Sequence, residues 1–294
     1  MKGKLTMDKN TTKDIIEILI ASPIEYREKI IENEEKLKTK QQAVLPGKVK
    51  SKPQIKKKIK YCFDAINCNC DLESVTKKLL KSKIKQYGIL LYGVSGAGKS
   101  MWAEYLAQEL NMPYIKKRAS DLMGAFVGQS EANIAKAFEE AREAGAVLVI
   151  DEADSFLFDR SKATQSHQVS SVNELLTQME DYPYPFVMTT NLKSKIDSAC
   201  FRRFIFKIKF DYMTEKNVIA AIKEYFGKTI KLTKEEAKEL KHLAAGDFKV
   251  AKQKLDILEN KKYTRENIIS YLKQEIAEKN IPAEIEPSKS MILQ

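Results

Sequence analysis

The sequence predicts an α/β fold: a parallel sheet flanked by helices, followed by a small C-terminal α-helical domain. Three observations predict it. Two short apolar runs, residues 88–92 and 146–150, have the length and lack of alternation of parallel strands buried on both faces. The first leads into a glycine-rich octapeptide, residues 93–100, and then a helical stretch, residues 101–110. Beyond residue 212, four stretches carry helical apolar spacing.

Length and composition bound the rest. With 294 residues, 43% hydrophobic and 31% charged, the chain reads as a globular protein of about two domains. Neither apolar run approaches the ~20 residues that cross a bilayer, so no membrane partner is expected. The first ten residues hold no apolar core for secretion, and four cysteines form no disulfide framework; the expected location is cytoplasmic. Cys62, Cys68 and Cys70 contain no CxxC pair, and His167 and His242 lie far away in sequence. The cysteines read as small half-buried side chains, with a metal site as the alternative. Two histidines exclude HExxH zinc hydrolysis and leave little room for a histidine-based triad.

The net charge of +11 is unevenly spread. Residues 1–86 hold 21 Lys and Arg against 11 Asp and Glu, whereas the remainder is almost balanced. Seven lysines fall between positions 48 and 60, around Pro53. Such a run serves as an extended solvated linker or as a contact to nucleic acid or an acidic partner, and no aromatic residues are interleaved for base stacking. Before it, residues 12–20 and a capping box at Ser22-Pro23-Ile24-Glu25 signal two helices. Residues 1–60 therefore read as a helical appendage and basic linker that orders against a partner or neighbouring subunit.

The octapeptide is Gly93-Val94-Ser95-Gly96-Ala97-Gly98-Lys99-Ser100, which satisfies GxxxxGK[ST] in the strand–loop–helix context that motif needs. Gly93, Gly96 and Gly98 let backbone N–H groups curl around phosphate oxygens, and the helix opening at Met101 adds a partial positive charge. Lys99 is placed to reach the β and γ phosphates of ATP, and Ser100 to offer a hydroxyl to Mg²⁺. The second run ends in Asp151-Glu152, 52 residues after Lys99. Carboxylates at the C-terminal end of a buried parallel strand sit where ligands bind in open α/β sheets. Asp151 is thus placed to hold Mg²⁺ through water, and Glu152 to polarise the water attacking the γ phosphate.

With these motifs in this order, residues 88 to about 260 resemble the P-loop ATPase module of the AAA+ family. Residues 151–160 resemble its extended Walker B stretch, and residues 187–191 its sensor 1 strand, which implies that Asn191 positions the attacking water. Residues 196–204 resemble the stretch that projects arginine fingers into a neighbouring subunit, implying Arg203 first and Arg202 second. Ile205 stands where family members usually carry an acid. Phe126-Val127-Gly128 resembles the aromatic-hydrophobic-glycine pore loop that grips polypeptide, the alternative being a Phe126 buried under the next helix. Segments 118–122, 163–181 and 204–212 resemble a bacterial group of single-module AAA ATPases.

The domains expected are residues 1–60, the appendage; 61–211, the AAA+ α/β nucleotide-binding domain; 212–276, the helical lid; and 277–294, a loosely ordered tail. Lid helices are expected over residues 217–226, 234–245, 248–259 and 264–276, with Gly246 separating the second from the third. Gly246-Asp247-Phe248 falls where the lid returns to the nucleotide and offers no arginine, though Lys249 can approach. The resemblance implies an ATP-hydrolysing, homo-oligomeric ring, a hexamer, that remodels or unfolds a polypeptide client. Two alternatives stay open: a nucleic-acid-associated AAA+ loader, supported by the N-terminal charge, and a nucleotide-gated assembly factor.

Overall fold

The computed structural model describes residues 58–157, 166–191, 196, 198–260 and 262–279. The helix signals at 12–20 and 22–25, the basic run as far as residue 57 and the tail beyond 279 lie outside them.

The strands are β1 (Asn67–Cys68), β2 (Gly88–Gly93), β3 (Tyr114–Arg118), β4 (Val147–Asp151), β5 (Phe186–Thr190) and β6 (Phe206–Asp211). They form one sheet in the order β1-β6-β2-β5-β4-β3, parallel throughout except for the short β1, which pairs antiparallel with β6. Helices α1 (Leu72–Lys81), α2 (Lys99–Glu109), α3 (Ala119–Leu122), α4 (Gln129–Glu143), α5 (Ser166–Asp181) and α6 (Ser198–Arg203) accompany the sheet.

Period-two alternation explains why the strands read as unbroken apolar runs. Leu90, Tyr92, Leu148, Ile150 and Met188 face one side, against Ile134, Phe138 and Ala141 of α4 and Val172 and Leu175 of α5. Ile89, Leu91, Val147, Val149 and Val187 face the other, against Leu72 and Leu79 of α1 and Trp102 and Leu106 of α2. The indole N–H of Trp102, fully buried, donates to the Thr76 hydroxyl at 3.0 Å and so joins α2 to α1 without an orphaned polar atom. Tyr182 likewise donates to the Ala146 carbonyl at 2.7 Å. From β2 the chain crosses to β3 and works back through β4 and β5 before β6 adds on the opposite side of β2. That reversal beside β2 opens a crevice at the C-terminal strand ends.

A second core belongs to α7 (Glu215–Phe226), α8 (Lys234–Glu239), α9 (Ala245–Leu258) and α10 (Arg265–Glu278), with Val218, Ile222, Phe248, Leu255, Ile268 and Leu272 at its centre. Thr233 caps α8 by accepting from the N–H of Glu236 at 3.2 Å, and Thr264 caps α10 by accepting from Asn267 at 3.2 Å. Ala65 packs into this core, and the Asn217 amide donates to the Asp64 and Ile66 carbonyls at 2.8 and 3.0 Å. The segment before β1 thus touches both halves.

The lid helices differ from expectation at one junction. The second ends at Glu239, not residue 245, and Gly246 lies in the first turn of α9 instead of between helices. Leu240 and Leu243 must both enter the core, which the chain achieves by turning through His242 at φ 63°. The Asp247 carboxylate then accepts from the Ala244 N–H at 2.6 Å and starts α9 about one turn early. Among the described residues, no helix is long and apolar enough to cross a membrane.

Candidate nucleotide site

The loop after β2 is dictated by close packing. Gly93 has φ 115°, and a Cβ there would lie 2.0 Å from the Phe210 carbonyl oxygen, so only glycine fits between β2 and β6. The chain then bends over the start of α2, and Lys99 points back into the loop. Its side chain is buried; Nζ donates to the carbonyls of Gly93 at 2.8 Å and Val94 at 2.7 Å, and to Asn191 Oδ1 at 2.8 Å. Burial pushes this ammonium down to about 8, against the upward pull of Asp151 and Asp154.

Beside it stands the strand-end acid. Ser100 Oγ donates to Asp151 Oδ1 at 2.7 Å, Thr189 Oγ1 donates to the same oxygen at 2.5 Å, and Lys116 Nζ lies 2.5 Å from Oδ2. Burial opposes ionisation of Asp151, but the hydrogen bonds from Lys116, Thr189 and Ser100 together outweigh it and hold the carboxyl below its ordinary range. Glu152 follows in the left-handed region, φ 56° and ψ 44°, with its N–H donating to Thr189 Oγ1 at 3.1 Å and its side chain exposed. Thr190 Oγ1 donates to Asp154.

These groups border a cavity of about 350 Å³. The loop residues Ser95, Gly96, Ala97, Gly98, Lys99, Ser100 and Met101, with Asp151, Glu152, Thr189 and Asn191, form one wall; Tyr225, Ala245, Gly246 and Lys249 form the other. The Gly246 N–H donates to the Gly96 carbonyl at 2.8 Å. The donor chemistry fits Mg²⁺: a hydroxyl and a carboxylate, both hard oxygen donors, meet beside a loop of backbone amides and a lysine suited to phosphate. Among the described residues no group of three or more His, Cys, Asp and Glu side chains could hold a metal ion, and Cys62, Cys68 and Cys70 are half-buried.

Of the expected residues, Gly93 and Val94 do not line this cavity, their carbonyls instead accepting from Lys99, and the arginines and the Phe126 loop also lie outside it. Arg203, at the end of α6, forms an ion pair with Glu180 of the same chain at 2.6 Å, and Arg202 next to it is exposed. Neither lines the chain's own nucleotide cavity. Phe126 and Val127 stand in solvent, 79% and 87% exposed. Their loop is braced: Gln129 Oε1 accepts from the N–H groups of Ala125 and Phe126 at 3.0 and 3.3 Å, and Gly128 turns at φ 82° into α4.

Four contributors escaped sequence reasoning. Thr189 left a signal, since it lies two residues before Asn191 at the end of the same strand. Tyr225 and Lys116 left none, because both arrive through packing between elements distant in sequence. Tyr61 comes to the loop in the same way: a Cβ on Gly98 would lie 3.5 Å from its hydroxyl.

Residues 89–212 match the model of the ATPase family associated with various cellular activities (AAA). An AAA family ATPase of Sinorhizobium fredii is 31% identical over 138 residues, 44% of this chain and 42% of that protein. The peroxisomal ATPase pex6 of Schizosaccharomyces pombe is 33% identical over 124 residues, 39% of this chain and 13% of its own length. The ATP-dependent zinc metalloprotease FtsH of Ureaplasma parvum is 31% identical over 120 residues, 39% of this chain and 17% of that enzyme. The chain spans less than half the length of these relatives.

Proposed function

From the premise that this chain belongs to the AAA+ ATPases, with its AAA domain over residues 89–212, we propose that it hydrolyses ATP as a homo-oligomeric ring, a hexamer, and uses the cycle to remodel or unfold a polypeptide client. The observation that carries the motor reading is the pair Phe126 and Val127, exposed on a braced loop away from the nucleotide cavity. Aromatic and branched side chains held in solvent can grip any chain by apolar contact with little sequence demand. Two of the relatives are named for ATP-driven work, one of them coupled to proteolysis. This sequence contains no HExxH, so in a degradative pathway these residues supply the motor and not the zinc-dependent cutting.

In this reading Lys99 leaves the Gly93 and Val94 carbonyls for phosphate oxygens, and backbone amides of residues 95–101 bind the phosphates. Ser100 and Asp151 would hold Mg²⁺, which would supply positive charge beside the phosphates. The Glu152 carboxylate accepts the proton of the attacking water, and Asn191 Oδ1 orients that water once Lys99 has released it. Arg203, freed from Glu180, and Arg202 beside it act on the γ phosphate of the neighbouring subunit, which explains why neither lines the cavity of its own chain. The appendage, residues 1–60, is proposed to bind a partner.

The test is Phe126→Ala in the full chain, with melting, ATPase and ATP-driven unfolding of a tagged substrate measured on one preparation. Because Phe126 is exposed, melting is expected to stay unchanged and ATPase to stay within a few-fold, while unfolding is lost. Unchanged unfolding would remove the motor reading and favour an assembly factor.

A further inference from the structure

The acid beside the nucleotide cavity is already neutralised by a cation of its own chain. Lys116 lies on the edge strand β3, where the register pairs its backbone with Val149, two residues short of Asp151. Its flexible stem runs along the sheet toward the crevice and sets Nζ 2.5 Å from Asp151 Oδ2, while Ser100 and Thr189 occupy Oδ1. Both carboxylate oxygens are therefore engaged. The lysine is about one-third exposed and the aspartate mostly buried, so the ammonium has water on one side into which it can withdraw.

We propose that Lys116 is the resident counter-ion of Asp151: it neutralises this carboxylate in the nucleotide-free chain, competes with Mg²⁺ for it, and is displaced when metal and nucleotide enter together. The proposal rests on the nucleotide reading above and adds a regulatory residue to it. Lys116 touches no phosphate in this scheme and acts only through Asp151, so it is a positioning residue. Two cations cannot share one carboxylate in a partly buried site without repulsion, and the coupling is reciprocal. Free Mg²⁺ then gains little at Asp151 unless phosphates supply further negative charge, which keeps the empty site from loading metal alone. Release of the metal lets the ammonium return.

The test measures Mg²⁺ dependence with no hydrolysis involved. A fluorescent ADP analogue is titrated into the full chain at a series of Mg²⁺ concentrations, with wild type, Lys116→Met, Lys116→Gln and Lys116→Arg compared, and melting is recorded in excess chelator. Removing the charge is expected to lower the Mg²⁺ concentration for half-maximal metal-dependent binding by about tenfold in both neutral variants, a typical size for such coupling. Lys116→Arg is expected to restore the wild-type dependence. Lys116→Gln keeps the experiment decisive where Lys116→Met fails to fold. An Mg²⁺ dependence within twofold of wild type in either folded neutral variant overturns the proposal, whether or not melting falls, because a merely structural ion pair changes melting alone. A wild-type chain that binds no nucleotide overturns the nucleotide reading and this proposal with it.

Discussion

The N–H of Gly246 donates to the carbonyl of Gly96 at 2.8 Å, so helix α9 is hydrogen-bonded to the phosphate loop itself. The two backbones touch: a Cβ on Gly246 would lie 3.3 Å from Gly96 Cα. Gly246→Ala sets two effects against each other. Alanine in a helix is favoured over glycine by about 0.5–1 kcal/mol, while the added methyl presses the loop away by a few tenths of an ångström. Melting is therefore expected to hold or rise while ADP affinity falls several-fold, and Gly246→Val is expected to lose more. Calorimetry with ADP and thermal melting separate the two; equal affinity in wild type and Gly246→Val would show that the contact has no influence on the site.

Lys99 and Glu152 are expected to fail differently. Lys99→Ala removes a buried ammonium aimed into the phosphate loop and should weaken ATP binding by at least about tenfold, the loss of one charge-assisted contact. Glu152→Gln keeps the shape of an exposed side chain and removes only the proton acceptor. It should bind ATP within a few-fold of wild type and hydrolyse at least about 100-fold more slowly. Equilibrium binding beside single-turnover hydrolysis checks both.

Arg203 is expected to serve a neighbour. Glu152→Gln subunits have an inert site with a sound finger, and Arg203→Ala subunits the reverse. Mixing the two should recover ATPase activity that neither shows alone, with a maximum at intermediate ratios. No recovery in rings shown to be mixed would return Arg203 to its surface pair with Glu180.

Cys70 should be a poor nucleophile. Burial first, then neighbouring Cys68 and Asp71, push its thiol from 9.0 up to about 12. At pH 8 that shift cuts the thiolate fraction by about 1,000-fold, and the greater nucleophilicity of a high-pKa thiolate returns only part of it. Native Cys70 is expected to react with a small disulfide reagent at least about thirtyfold more slowly than in the unfolded chain, as timed labelling and peptide mapping would show.

The parts legible in the sequence are those whose chemistry is local. Residues 93–100 spell out a loop because neighbouring residues must surround one phosphate chain, and Asp151-Glu152 is readable because a buried strand must end where its acids reach water. Residues that arrive by packing are silent. Lys116 sits in an ordinary edge-strand pattern, and only the order β4-β3 brings it to Asp151. Tyr225 reads as one apolar position of a lid helix and becomes part of the cavity only through the docking of α9 and the phosphate loop. Gly246, read as a break between two lid helices, lies instead in the first turn of α9, because glycine both interrupts helices and permits close backbone approach and the sequence does not distinguish the two uses.

Glu152 carries a further meaning in its backbone. A glutamate at φ 56° occupies a conformation that glycine or asparagine adopts with less strain, at a penalty of about 1–3 kcal/mol. On the proposed role of Glu152 in activating water, the position trades thermal endurance for turnover: a chain optimised for heat resistance alone would discard the acid there. Glutamine inherits the same uncomfortable geometry, so Glu152→Gln retains the strain, and glycine or asparagine at this point would let the strand end relax.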